Sequence, residues 1–240
     1  MNLRIFLRLY QLQHSGGVNI KLADALNKLQ PYIGKKFIDI FDETDIVDLR
    51  TNKGNVGQLL EKLIGLQNSS RRLDFDDGEL KTNKAYADGR PKETMYIIQI
   101  LSVIDELLDA TSFKDSFLYI KIKNLVYVPV CKDGNELNWF FLPYVHVGYE
   151  LEKYSNLYIQ LEEDYYEVAS QLNKHIKNSD DGFIHTSSGK YIQVRSKDSK
   201  PYSPIYSKKY NKYVSNKNHA FYFKKSFMLY LQELSDEYPL

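Results

Sequence analysis

Three residues in one short segment have the types and the spacing of a hydrolytic site. Glu79-Leu80-Lys81 follows a turn-forming Asp-Asp-Gly sequence, and Asp74 precedes that turn. Alternate side chains of a strand share a face, so we expect Glu79 and Lys81 to lie together and Leu80 to point into the core. Two carboxylates that converge across a bend supply the oxygen ligands that Mg²⁺ prefers. A neighbouring lysine can orient or help to deprotonate a water molecule and offset charge on a phosphate.

The same pattern also occurs in surface hairpins, where acidic and basic side chains simply form pairs in solvent. The turn contains further acids, and Asp76 is an alternative to Asp74 as the first carboxylate. We favour Asp74 because Asp76 lies in the tight turn itself. On its own, therefore, the pattern indicates a metal-dependent phosphodiesterase only weakly.

Strands and helices that could position this segment alternate along the chain. Apolar spacing predicts helices over residues 56–64, ending at Gly65, and over 158–176. A helix from residue 20, a break at Gly34 and a second short element are predicted before them. Apolar, β-branched runs predict a buried strand from residue 94 that leads into a helix at 103–108, and another at 125–130, which Pro129 and the Lys132-Asp133-Gly134 turn would end. This order predicts a mixed α/β (α+β) class.

Composition limits the remaining possibilities. A chain of 240 residues with 43% hydrophobic residues can form one sizeable core, and we expect a single domain. Cys131 is the only cysteine, so it cannot form an intramolecular disulfide, which favours a cytoplasmic protein. The apolar start of the chain is short and is interrupted by Arg4 and Arg8, so we expect no membrane span.

Charge is unevenly distributed although the net charge is only +1. Between Lys190 and Lys225 ten basic residues accompany one acid, Asp198, and tyrosines lie among them. Such a segment is typical of a surface that binds a polyanion. Its tyrosine-rich part, residues 202–213, is either ordinary loop packing or an arm that becomes ordered on DNA.

Several segments, in collinear order, resemble the MutH family of DNA endonucleases within the PD-(D/E)xK superfamily. That family comprises the mismatch-repair nicking endonuclease and related type II restriction endonucleases, several of which cut at GATC. The similar segments are 52–61, 74–75, 78–82, 89–94, 121–130, 189–195 and 220–227. The interval between Asp74 and Glu79 is two residues shorter than in the mismatch-repair enzyme, but the Asp-Phe pair at 74–75 matches the family.

The resemblance implies a role for each matched residue. The implied catalytic residues are Asp74, Glu79, Lys81, Glu61 and Lys121. Of these, Asp74, Glu79 and Glu61 would bind Mg²⁺, for which Mn²⁺ can substitute. Lys121 would lie near the scissile phosphate, although Lys123 fits the spacing equally well.

The resemblance also implies a set of DNA contacts. The implied contact residues are Lys53, Arg90, Arg195, Lys197, Tyr222, Lys224 and Lys225. Arg195 would read bases in the major groove, Tyr222 would sense the target adenine and its methylation, and Lys224 and Lys225 would contact phosphates. Ser196 replaces a proline of the mismatch-repair enzyme, so the target need not be GATC.

The expected protein is therefore a two-lobed, restriction-endonuclease-like mixed sheet flanked by helices, with a DNA cleft. Its expected parts are an N-terminal extension (1–20), a catalytic lobe (about 20–130) and a DNA-recognition lobe (about 131–240). We expect a type II restriction endonuclease that leaves 5′-phosphates, with a cognate DNA methyltransferase in the same system. A homodimer on DNA or two successive nicks would cut both strands. The alternatives are a methyl-directed mismatch-repair nickase and an inactive DNA-binding module.

Overall fold

The computed structural model of the protein describes residues 20–51, 55–66 and 72–235. Its α-helices are α1 (Leu22–Leu29), α2 (Glu43–Thr51), α3 (Val56–Ile64), α4 (Ile104–Leu108), α5 (Phe117–Ile122), α6 (Ser155–Asn178) and α7 (Lys225–Glu233). Its strands are β1 (Glu79–Ala85), β2 (Met95–Gln99), β3 (Asn124–Cys131), β4 (Phe140–Phe141), β5 (Val145–Gly148), β6 (Ser187–Ser188), β7 (Ile192–Lys197), β8 (Ile205–Ser207), β9 (Lys212–Ser215) and β10 (Asn218–Phe223). The mixed class predicted from the sequence is confirmed.

The first sheet is built around β3. β1 lies parallel to it, with Glu79 opposite Leu125, while β5 and β4 pair antiparallel with successive parts of its other edge. Side chains of β3 alternate between two hydrophobic clusters. Leu125 and Tyr127 belong to one cluster, whereas Val126 and Val128 belong to the other. This sheet therefore contributes side chains from its two faces to the two clusters.

The second sheet has the strand order β2-β10-β7-β6 and is antiparallel throughout. It packs in the same cluster as helix α6, which contributes Leu161, Tyr165 and Leu172 to that cluster. The other cluster joins α1 and α3 to the opposite face of β3. The expected division into lobes near residue 130 stays a prediction.

The tyrosine-rich segment forms a β-hairpin of β8 and β9, in which Tyr206 lies opposite Tyr213. The hairpin is attached to α4 through Asp105, whose carboxylate accepts hydrogen bonds from the Ser207 hydroxyl at 2.7 Å and the Lys208 backbone N–H at 3.0 Å. The segment is therefore ordered β structure rather than either alternative that we considered.

Most of the elements predicted from apolar spacing are confirmed. α3 ends at Gly65, which adopts φ 82°, and Gly34, with φ 76°, interrupts the chain after α1. β3 ends at Cys131, directly before the predicted Lys132-Asp133-Gly134 stop, but the part of the prediction that assigned the end of the strand to Pro129 is wrong. Pro129 lies between the residues of β3 that pair with β5 and those that pair with β4. Its carbonyl accepts a hydrogen bond from the Leu142 N–H, and its missing N–H therefore removes no hydrogen bond between paired strands.

No helix in the described ranges is long and apolar enough to cross a membrane. Residues 1–19 lie outside those ranges, and the expected N-terminal extension is therefore not described.

Candidate active site

The turn before β1 brings Asp74 back onto the strand. The Asp74 Oδ2 atom accepts a hydrogen bond from the Leu80 backbone N–H at 2.9 Å, and the Phe75 N–H donates to the Gly78 carbonyl at 2.9 Å. Phe75 is buried in the cluster beneath the turn. Asp74 and the start of β1 are consequently fixed relative to each other.

Glu79 is a buried carboxylate held between two lysines. Its side chain is 2% exposed, and its Oε1 atom accepts a hydrogen bond from Lys81 Nζ at 2.6 Å. Lys121 Nζ lies 2.9 Å from both carboxylate oxygens. Burial of an ionised carboxylate is costly unless opposite charges offset it, and here two ammonium groups do so.

Glu61 on α3 completes a group of three acids. Its side chain is half-buried, and burial is the main cause that raises the pKa of its carboxyl group, followed by the negative charge of Asp74. The Lys81 ammonium opposes that shift, and Glu79 adds to it. These couplings put Asp74 and Glu79 within electrostatic range of Glu61.

The chemistry of these side chains fits a hard divalent cation, because carboxylate oxygens are the ligands that Mg²⁺ prefers. Within the described ranges, no three His, Cys, Asp or Glu side chains are arranged closely enough to hold a metal ion. The oxygens of Glu79 contact Lys81 and Lys121. Residues Asp74, Glu79 and Glu61 would bind the ion if the lysines gave up part of those contacts.

The geometry separates the two pairs of alternatives that the sequence left open. Asp74 bonds to β1 and is coupled to Glu61, whereas Asp76 is exposed and its backbone N–H donates to the Ile20 carbonyl. Lys121 contacts Glu79, whereas Lys123 is exposed. The contacts therefore favour Asp74 and Lys121, and their catalytic roles stay predictions.

One detail of the predicted site is wrong. Residues 121–130 resemble a single basic strand, but Lys121 belongs to helix α5 and the strand begins only at Asn124. The Ser116 side chain caps that helix by accepting a hydrogen bond from the Tyr119 N–H. Lys121 therefore approaches Glu79 from the end of a helix.

A second group of predicted residues meets on the second sheet. The Arg195 guanidinium on β7 lies 4.3 Å from the ring centre of Tyr222 on β10. Tyr222 makes an edge-to-face contact with Tyr96, and Lys197 Nζ lies 4.9 Å from the Tyr96 ring centre. Two cations and two aromatic rings thus contact one another in a cluster that we call the aromatic-basic surface (Tyr96, Arg195, Lys197 and Tyr222), in which the predicted DNA contact Tyr222 is buried, with 8% exposure.

Tyr96 is the residue of this surface that we did not predict. Burial raises the pKa of its hydroxyl group, and the negative charge of Glu79 contributes to the rise, which puts Tyr96 within electrostatic range of the carboxylate site. The signal in the sequence was strand alternation, because Tyr96 stands between the apolar Met95 and Ile97. In the structure those two residues are buried and Tyr96 is 38% exposed.

The other predicted DNA contacts are less closely connected to the site. Arg90 is exposed and pairs with Asp88 at 2.7 Å, and Lys224 Nζ donates to the Gly189 carbonyl at 2.8 Å. Lys225 is exposed at the start of α7. Lys53 lies outside the described residues.

Asp164 on α6 is a further residue that we did not predict. Its buried carboxylate accepts hydrogen bonds from the backbone N–H groups of Lys190, Tyr191 and Ile192 at 2.7, 2.5 and 3.0 Å. A Cβ atom added to Gly189 would collide with that carboxyl group. Asp164 thereby fixes the start of β7, the strand that carries Arg195.

No protein-family model matches this sequence, and no curated protein is significantly similar to it.

Proposed function

We propose that this protein is a Mg²⁺-dependent endonuclease of the restriction type that cuts double-stranded DNA. The observation that carries the proposal is the carboxylate site of Asp74, Glu79 and Glu61, in which Lys81 and Lys121 hold the buried Glu79. Carboxylates for a hard cation and lysines for a phosphate are the groups that phosphodiester hydrolysis needs.

The aromatic-basic surface supports DNA as the substrate. Arg195 and Lys197 present positive charge next to two tyrosine rings, and Tyr96 connects this surface electrostatically to Glu79. An arginine can read guanine through two hydrogen bonds, and a tyrosine ring can sense a methyl group by contact. Base recognition and cleavage would then take place on neighbouring faces of one protein.

The residues of the site would divide the reaction among them. When bound, Mg²⁺ supplies a Lewis acid that polarises a phosphate oxygen and makes a coordinated water more acidic. Lys81 donates a hydrogen bond that orients the attacking water, and Lys121 offsets the negative charge that develops on the phosphate. The water oxygen forms a bond to phosphorus as the bond to the 3′ oxygen breaks. The attacking water loses a proton to solvent and the leaving oxygen gains one, which leaves a 5′-phosphate and a 3′-hydroxyl.

Two matched pairs of variants test this assignment. We expect Asp74→Asn and Lys121→Gln to lower the rate of plasmid cleavage at least a hundredfold, because each removes a charge from the reacting centre. Asp76→Asn and Lys123→Gln make the same chemical changes on exposed neighbours and should retain most of the activity. Equal activity in all four variants, with Mg²⁺ present, would contradict the proposal.

The products distinguish the restriction reading from its alternatives. Methylated and unmethylated plasmids are incubated with the purified protein, with and without Mg²⁺, and the DNA ends are mapped. Complete double-strand cleavage by the protein alone supports a restriction endonuclease, with a DNA methyltransferase in the same system. Weak nicking that requires a partner supports a mismatch-repair nickase, and DNA binding without any cleavage supports an inactive module.

A further inference from the structure

The turn that joins Asp74 to Glu79 is held by a side chain from the neighbouring strand. Asn124, the first residue of β3, donates a hydrogen bond from Nδ2 to the Asp77 carbonyl at 2.7 Å. The parallel register places Glu79 opposite Leu125, so Asn124 lies next to the turn. This bond reaches the backbone two residues before Glu79.

His146 fixes the orientation of the Asn124 amide. His146 lies on strand β5, which pairs with the same segment of β3, and its Nε2 atom lies 2.8 Å from Asn124 Oδ1. Because Asn124 uses its amide nitrogen for Asp77, its oxygen must accept from His146, and the proton of the imidazole must be on Nε2. That N–H is present in both the neutral and the protonated ring, so the bond persists when the ring titrates.

The turn has little room to relax in any other direction. A Cβ atom added to Gly78 would lie 2.6 Å from Leu22 Cδ1 and 2.8 Å from the Asn124 carbonyl oxygen. The Asp77 carboxylate accepts a hydrogen bond from the Leu22 backbone N–H at 2.8 Å, at the start of α1. The position of the Asp77–Gly78 peptide is thus determined by α1 on one side and Asn124 on the other.

We propose that Asn124, oriented by His146, is a positioning residue that sets the distance between the carboxylates of Asp74 and Glu79 for a divalent cation. The inference rests on the proposed function. Asp74 spans the turn to reach the Leu80 N–H, and a turn that is no longer held by Asn124 changes the position of Asp74 relative to Glu79. Groups that orient metal ligands without touching the metal change affinity by about 10- to 100-fold when they are removed.

The main experiment measures cation binding to the metal-free protein, without DNA. Mn²⁺ is titrated by calorimetry into the wild type and into Asn124→Ala, and the melting temperature of each is recorded. We expect Asn124→Ala to weaken Mn²⁺ binding about tenfold. Asn124→Asp keeps the size of the side chain and the acceptor for His146 but cannot donate to Asp77, so it should weaken binding at least as much.

Asn173→Ala is the matched control. Asn173 donates hydrogen bonds to the Leu108 and Ala169 carbonyls and accepts one from the Tyr210 hydroxyl, so its loss also removes bonds made by a partly buried amide. We expect a comparable fall in melting temperature but an unchanged Mn²⁺ affinity. If Asn124→Ala and Asn124→Asp both bind Mn²⁺ within twofold of the wild type, Asn124 has no positioning role.

Cleavage assays separate failure of this inference from failure of the proposed function. In Asn124→Ala, the Mg²⁺ concentration for half-maximal cleavage should rise about tenfold, whereas the DNA affinity measured in EDTA should not change. A wild type that binds Mn²⁺ but cuts no DNA overturns the proposed function, and the calorimetry still decides the role of Asn124. A wild type that binds no Mn²⁺ overturns both.

Discussion

At the scale of single residues, the buried Glu79 side chain makes ion pairs with two lysines. The side chains of Lys81 and Lys121 are themselves only 16% and 13% exposed, so each ammonium depends on Glu79 for much of its compensation. Removal of one partner from such a group is more harmful than removal of two, because it leaves uncompensated charge.

Glu79→Gln should therefore destabilise the metal-free protein. We expect the free energy of unfolding to fall by about 2 kcal/mol, less than for a fully buried pair because both lysines reach solvent. The double variant Glu79→Gln/Lys121→Met should recover part of that loss, since it removes one of the two unpaired charges. Urea denaturation in EDTA measures both values, and Glu163→Gln, on the exposed side of α6, serves as the control. Purely additive effects in the double variant would contradict this coupling.

Strand alternation was enough to predict that Glu79 and Lys81 would meet. It could not predict that Lys121, 42 residues further along the chain, contacts both oxygens of Glu79. That contact requires β1 and β3 to be parallel neighbours and α5 to end beside them. Such a contact depends on tertiary register, and a single sequence carries no direct sign of it.

At the scale of elements, the β7 strand is positioned by Asp164. The three backbone N–H groups that bond to its carboxylate precede Arg195 by three to five residues, so their loss should displace the aromatic-basic surface without touching the carboxylate site. A single buried acid on α6 would then control DNA recognition from outside the surface.

Asp164→Asn should weaken DNA binding in EDTA roughly tenfold and leave Mn²⁺ affinity unchanged. The amide has one acceptor oxygen instead of two, and its NH₂ group would face backbone N–H groups. Gly189→Ala should act in the same direction, because the added methyl group presses on the Asp164 carboxyl group. Fluorescence anisotropy with a labelled duplex measures the change, and Glu163→Gln again provides the neighbouring control. If DNA affinity and Mn²⁺ affinity fall together, Asp164 supports the whole fold rather than β7.

The β8–β9 hairpin, a separate two-stranded sheet, is a further source of positive charge. Lys208 in its turn and Lys217, two residues after β9, are exposed, and Tyr206 and Tyr213 form an edge-to-face pair on its outer face. If DNA passes this hairpin, each phosphate contact that is lost should change the dependence of binding on salt.

The double variant Lys208→Gln/Lys217→Gln should reduce the slope of log K against log[salt] by about two, that is, by roughly one per lost contact. Lys174→Gln/Lys177→Gln removes two exposed lysines of α6 and should leave the slope unchanged. Titrations between low and moderate salt provide the comparison. Equal slopes in the two double variants would exclude the hairpin from the DNA contact.

Element boundaries were predicted best where a local signal ends the element. Gly65 ends α3 through its positive φ, a conformation that glycine adopts without strain. Pro129 was misread because the effect of a proline on a strand depends on whether its missing N–H faces a partner, and only the sheet arrangement decides that. The hairpin of residues 205–215 was missed because its turn lacks the sequences that usually mark one.

At the scale of the whole molecule, three histidines connect stability to pH. Burial lowers the pKa of His146, His175 and His219, so the folded protein keeps these rings neutral at pH values where an unfolded chain would protonate them. The contribution of these rings to the free energy of unfolding is therefore fully present above about pH 6.5. It is lost as the pH falls toward the lowered pKa values of the folded protein.

The free energy of unfolding should accordingly decrease between pH 7.5 and pH 5.5, and His219→Gln should show a shallower decrease. His219 is the most buried of the three rings and hydrogen-bonds to the Ser215 hydroxyl at 3.1 Å. Urea denaturation at several pH values measures the two slopes. A slope that the substitution leaves unchanged would mean that His219 takes up no proton linked to unfolding.

Strand β3 has a consequence for how the molecule unfolds. Because its alternate side chains belong to different hydrophobic clusters, neither cluster can come apart without exposing one face of the same strand. The two halves of the chain should therefore melt in a single cooperative transition, and the β3 amide protons should be among the last to exchange with deuterium. The 38 residues between Ala85 and Asn124 separate it from its parallel partner β1, so formation of this pair requires closure of a long loop. We expect that step to be slow and to limit the rate of folding.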